Sequence, residues 1–113
     1  MLIHRCDKIG GPIEDMSEKI KDNTKMLIKA IMSLETEEEC RQFLNDICTI
    51  KEIKEMSSRL EVAMLLSNGE VYTDIAEKTG SSTATISRVN RALNYGDGGY
   101  ELIIKRLAEG KSE

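Results

Sequence analysis

Short hydroxyl side chains and two arginines crowd one stretch of this sequence, Gly80-Ser-Ser-Thr-Ala-Thr-Ile-Ser-Arg-Val-Asn-Arg91. On a helix, Ile86, Val89 and Leu93 fall on one stripe at spacings of three and four. Thr83, Ala84, Ser87, Arg88, Asn90 and Arg91 then share the opposite face. Hydroxyls can both donate to and accept from base edges, and guanidinium groups hold phosphate, so such a face suits the major groove of double-stranded DNA. Competing chemistries lack the residues. His4 and Cys6 stand without further ligands or a base, and His4 is the only histidine. Cys6, Cys40 and Cys48 form no CxxC pair, so neither a metal site nor a cofactor is expected. Glu37, Glu38 and Glu39 follow Thr36, the pattern of a helix start, with no partner acid or base to make them catalytic. No enzyme is expected.

Positioning that face requires a second helix and a tight turn. The segment from Tyr72 to Asn94 supplies them as two short helices around Gly80, a helix-turn-helix within residues 70–95. Ala76 is small where the helices cross, Gly80 provides the turn, and Ile75 joins Ile86, Val89 and Leu93 in the buried stripe. The N-terminal residues of the second helix reach base edges, which assigns readout to Thr83, Ala84 and Ser87. Ser81 and Ser82 serve as caps or phosphate contacts, Thr85 lies on the same turn, and Arg88 and Arg91 meet phosphate. Lys78, Arg88 and Arg91 against Asp74 and Glu77 leave this segment at +1 in a chain of net charge −4, so DNA binding must be local. A solvated helix pair or a protein-docking module whose Arg88 face meets an acidic partner has the same residue counts.

The remaining chain reads as further helices. Apolar residues recur at helical spacing from Ile13 to Leu34, from Cys40 to Ile47 and from Ile53 to Met64. Thr36 with Glu39, and Thr49 with Glu52, predict capping boxes at the second and third helices, and Asn68-Gly69 predicts the end of the third. A last helix follows Gly98 and Gly99. The expected fold is all-α, about six helices, divided as an arm at 1–12, dimerisation helices at 13–67, the helix-turn-helix at 70–95 and a C-terminal helix at 98–109. Only one Phe and three Tyr accompany six Met, and there is no Trp and one Pro, a composition that suits helix packing better than a sandwich. A 113-residue monomer of this kind has a thin core. An unpaired cysteine count, the lack of a signal-type N-terminus and the lack of a membrane-length apolar run predict a reduced, cytoplasmic setting with no membrane partner.

The nonapeptide from Gly80 to Arg88 resembles the recognition segment of the Trp repressor. The likeness continues through Phe43 to Thr49, Arg59-Leu-Glu-Val-Ala63, Asn68-Gly69 and Asn94-Tyr-Gly-Asp-Gly-Gly-Tyr-Glu-Leu102 to Leu107. These segments, roughly the last two-thirds of the chain, resemble the YerC/YecD branch of the Trp repressor superfamily. The resemblance implies an intertwined homodimer that reads a palindromic operator and regulates transcription, as a repressor, with another DNA transaction as the alternative. It further implies a candidate effector pocket at Thr49, Arg59, Arg88 and Val89, since the family's corepressor ring lies between two arginines matched by Arg59 and Arg88. Val89 stands where that repressor has glycine against the ring, so tryptophan is not the expected effector, and Val89 is expected to pack into the core or to cap a smaller pocket. Thr73 stands where the repressor has a base-reading arginine, so a different operator is expected.

Overall fold

Three hydroxyl residues mark where helices begin. Thr36 Oγ1 accepts from the Glu39 amide at 3.1 Å, Thr49 Oγ1 from Glu52 at 3.0 Å and Ser82 Oγ from Thr85 at 3.1 Å. Each satisfies one amide that the first helical turn leaves unpaired. At Thr49 the box is complete, because Glu52 Oε1 accepts from the Thr49 amide at 2.8 Å. At Thr36 the return bond differs from expectation: Glu39 Oε1 accepts from the amide of Glu35, one residue earlier, at 2.8 Å. Glu37 and Glu38 complete an acidic first turn, placed where the helix dipole favours negative charge.

This computed structural model describes residues 13–110, with side chains from residue 23 onward. The expected arm at 1–12, with His4 and Cys6, lies outside the described residues. Six helices follow in order: α1 (Ile13–Met32), α2 (Glu37–Ile47), α3 (Ile50–Ser67), α4 (Tyr72–Thr79), α5 (Thr83–Tyr95) and α6 (Gly99–Gly110). No strand occurs among the described residues. The first helix stops two residues short of Leu34, where Ser33 turns back to bond the carbonyls of Lys29 and Ala30.

The chain forms two units, Met1–Leu44 and Asn45–Glu113. In the first, α1 leaves Met26, Leu27, Ile28, Ile31 and Met32 exposed, Met32 to 78%. In the second, α5 packs on α3, α4 packs on both, and α6 lies against α5 and α3. Their shared core is Val62 and Ala63 of α3, Ile75 of α4, and Ile86 and Val89 of α5, all at most 1% exposed. Leu65, Leu66, Tyr72, Ala76, Tyr100 and Ile104 close around it. Leu93, expected in the buried stripe, is half-buried near the far end of α5.

Two glycines shape how α5 is held. Gly80 takes a left-handed φ of 75° and donates its amide to Ala76 O at 2.8 Å, which ends α4. Gly96 follows α5, and a Cβ there would fall 2.4 Å from the Ala92 carbonyl oxygen, so the chain leaves the helix closer to its last turn than any side chain permits.

With so few fully buried residues, each carries a large share of stability. Ile86→Ala is expected to cost about 2–5 kcal/mol, and loss of the α3 cap in Thr49→Ala about 1 kcal/mol. Urea unfolding at one fixed protein concentration, followed by circular dichroism, measures both.

Candidate nucleic-acid interface

The turn between α4 and α5 is built from hydroxyl groups. Thr79 Oγ1 donates to Ile75 O at 2.8 Å and accepts from the Ser81 amide at 3.1 Å. Ser81 Oγ lies 3.1 Å from Ser58 Oγ of α3, a half-buried contact that links the turn to the helix beneath it. Ser82 is the N-cap of α5, and its hydroxyl also donates to Thr85 Oγ1 at 3.1 Å. Ser81 and Thr85 are half-buried, and Ser82 is exposed.

Burial of Ile86 and Val89 decides the outer face of α5. Thr83, Ala84, Ser87, Arg88 and Arg91 are all exposed on it, as the periodicity requires. Asn90, expected among them, is half-buried; its carbonyl oxygen and Oδ1 accept from Asn94 Nδ2 at 3.0 and 3.1 Å. Among the described residues no ion pair joins Arg88 or Arg91 to an acid, and α5 has no acid in its first turn. The exposed end of α5 therefore presents small hydroxyl and methyl groups first and guanidinium groups one to two turns later. That arrangement matches a duplex groove, with base edges at the helix start and phosphates at its flanks.

Lys78 does not belong to this set. Its ammonium donates to both Glu70 carboxylate oxygens, at 2.8 and 2.9 Å, and that hydrogen bond raises its pKa above the ordinary lysine value. A cation counted in the local charge from sequence is thus neutralised by an acid eight residues upstream.

Beside the turn lies a polar cleft of about 390 Å³ lined by Glu55, Ser58 and Arg59 of α3, Thr79 to Ser82, Thr85 and Arg88. Arg59 and Arg88 are brought to one place, as the effector reading requires. Thr49 and Val89 do not line it. Thr49 is exposed, its hydroxyl engaged as the cap of α3, and the Val89 side chain points into the core. Val89 therefore does not fill the cleft, whose lining is rich in hydroxyls and carries the Glu55 carboxylate. Ser58, Thr79 and Glu55 escaped the sequence reading because nothing in a linear pattern places α3 against the turn.

No group of three or more His, Cys, Asp or Glu side chains suited to a metal ion occurs among the described residues. No described helix is long and apolar enough to cross a membrane.

The chain matches the family described as Trp repressor protein over residues 22–108. It is 49% identical over 87 residues to the uncharacterized protein YerC of Bacillus subtilis (strain 168), a span of 77% of this chain and 84% of that protein. The crystal structure of a TrpR-like protein from Eubacterium eligens ATCC 27750 superposes with a TM-score of 0.74 at 52% identity, covering 77% of this chain and 90% of that one. A Staphylococcus aureus protein given a provisional Trp repressor assignment superposes at 0.72 with 41% identity, covering 88% and 96%.

The Glu70–Lys78 pair can be tested directly. A bonded carboxylate stabilises the charged ammonium and raises its pKa, so Glu70→Gln is expected to move the Lys78 titration midpoint down, measured by NMR at the lysine ε carbon.

Proposed function

Because the chain belongs to the Trp repressor family, we propose that it is a homodimeric, sequence-specific transcription regulator, a repressor, that reads a palindromic operator. The observation that carries this reading is the outer face of α5. Thr83, Ala84 and Ser87 lie exposed at the helix start, with Arg88 and Arg91 unpaired behind them. Thr83, Ala84 and Ser87 contact base edges, through methyl groups, hydroxyls and bridging water. Arg88, Arg91 and the exposed Ser82 contact phosphate. Thr85 is turned partly inward and supports the start of the helix.

The dimer is supported by what the single chain leaves uncovered. Met26, Leu27, Ile28, Ile31 and Met32 of α1 are exposed, as are Leu102, Ile103 and Leu107 of α6 at 44–49%. Leu60, Ala92, Tyr100 and Ile103 also line an apolar cavity of about 610 Å³ in the second unit. Apolar surface on this scale marks a protein interface. An intertwined homodimer, in which a partner's helices cover these faces, sets the two α5 helices about one helical turn of DNA apart, roughly 34–36 Å.

Arg59 and Arg88 flank the polar cleft, which makes it the place for an effector if one binds. Its hydroxyls and the Glu55 carboxylate suit a small polar molecule better than an indole ring.

Mobility shifts with a duplex enriched by the protein from a random-sequence pool, run at several salt concentrations, test the reading. Arg88→Ala and Arg91→Ala are each expected to weaken binding and to reduce the salt slope by about 1, whereas Lys78→Ala leaves that slope unchanged. Unchanged affinity in both arginine variants would place the interface elsewhere, and a monomeric mass by light scattering at micromolar concentration would remove the dimer. Calorimetry with tryptophan is expected to give no binding heat, and micromolar binding would reverse that assignment.

A further inference from the structure

The Ser58–Ser81 contact stands apart from the other polar contacts of this unit. It spans 23 residues of sequence, whereas the side-chain hydrogen bonds described for α4, the turn and α5 close within eight. Its oxygens are 3.1 Å apart and half-buried, at the floor of the polar cleft, where α3 meets the turn.

We propose that Ser58 is a positioning residue for the reading helix: its hydroxyl latches the turn to α3 and thereby sets the pose in which Thr83, Ala84 and Ser87 meet DNA. The proposal rests on the DNA-reading role of α5. The core beneath the turn is made of Val62, Ala63, Ile75, Ile86 and Val89, all apolar. Apolar burial is non-directional, so it holds α4 and α5 against α3 while leaving small rotations of α5 inexpensive. A helix of eight residues, α4, does little to resist them. The hydrogen bond adds the missing direction.

Its effect spreads both ways from Ser81. Through the Ser81 amide it reaches Thr79 Oγ1 and the carbonyl of Ile75, which fixes the last turn of α4. Through the adjoining Ser82 cap it reaches the Thr85 amide, which fixes the first turn of α5. Four consecutive residues, Thr79 to Ser82, thus tie three helices together, and among the described residues the Ser58 hydroxyl is what anchors them to α3 by a polar bond. The Ser81 hydroxyl, expected to cap or to touch phosphate, is assigned to the latch.

Ser58→Ala removes the anchor without changing the apolar core, and Ser58→Thr retains the hydroxyl. In the DNA-free protein, Ser58→Ala is expected to speed amide exchange from Ser81 to Ile86 about fivefold, the size of one net hydrogen bond. Exchange at Val62 and Ala63 stays at the wild-type rate, and Ser58→Thr restores the turn. With a duplex enriched by the wild-type protein from a random-sequence pool, Ser58→Ala loses about fivefold in affinity and Ser58→Thr loses none, while a scrambled duplex binds all three proteins alike. Unchanged exchange in Ser58→Ala overturns the latch. Faster exchange with unchanged affinity, or an equal loss on the scrambled duplex, overturns its positioning role. If the wild-type protein enriches no duplex, the DNA-reading assignment falls, and the exchange comparison still decides whether the latch exists.

Discussion

The face that α5 presents, and the polar cleft beside it, depend on two side chains that α5 buries. Ile86 and Val89 are one turn apart and sit against Val62 and Ala63 of α3 and Ile75 of α4. Burying both sets which face of α5 turns inward, because a helix rotates by about 100° per residue and no other register buries the pair. Thr83, Ala84, Ser87, Arg88 and Arg91 are then outside by geometry. The same burial explains Val89. A valine at that position contributes to the core, and the polar cleft beside α5 is left to be lined by hydroxyls, Glu55 and two arginines. Core packing, the chemistry of the outer face and the chemistry of the cleft are three consequences of one helix register.

Local signals were legible in the sequence because they act within one turn of chain. The Thr49 capping box, the Ser82 cap, the stop at Asn68-Gly69 and the left-handed Gly80 follow from side chains three or four residues away, or from backbone sterics alone. The six helices and most of their limits were accessible for that reason. The Trp repressor family could be recognised from the segment Gly80 to Arg88 together with the pattern after Asn94. Even the near miss at Thr36 is local: Glu39 has two backbone amides within reach and bonds that of Glu35.

What was not legible depends on contacts between helices. Lys78 counts as a free cation until α4 is folded back beside Glu70 at the end of α3. Asn90 shares the outer face by spacing, yet in the fold it is half-buried. Leu93 continues the apolar stripe by spacing yet is only half-buried, outside the cluster that Ile86 and Val89 join. Ser58 carries no motif at all; its significance arises only because α3 delivers it to Ser81, 23 residues on. Periodicity gives faces, and the identity of the group facing each one needs the tertiary fold.

A core of five fully buried side chains also constrains how this fold is stabilised. Small domains bury too little surface to offset the conformational entropy of ordering their chains, and here much of the apolar surface that could help remains exposed on α1 and α6. In the proposed dimer that surface is buried between copies, so folding and association become one process and stability depends on protein concentration. The design separates two requirements. The interface between copies supplies bulk apolar burial and sets the spacing of the two heads. The small second-unit core and its polar turn set the orientation of each α5. A substitution in α1 is then expected to act on assembly, and one at the turn on readout, because the forces involved are non-directional in the first case and directional in the second.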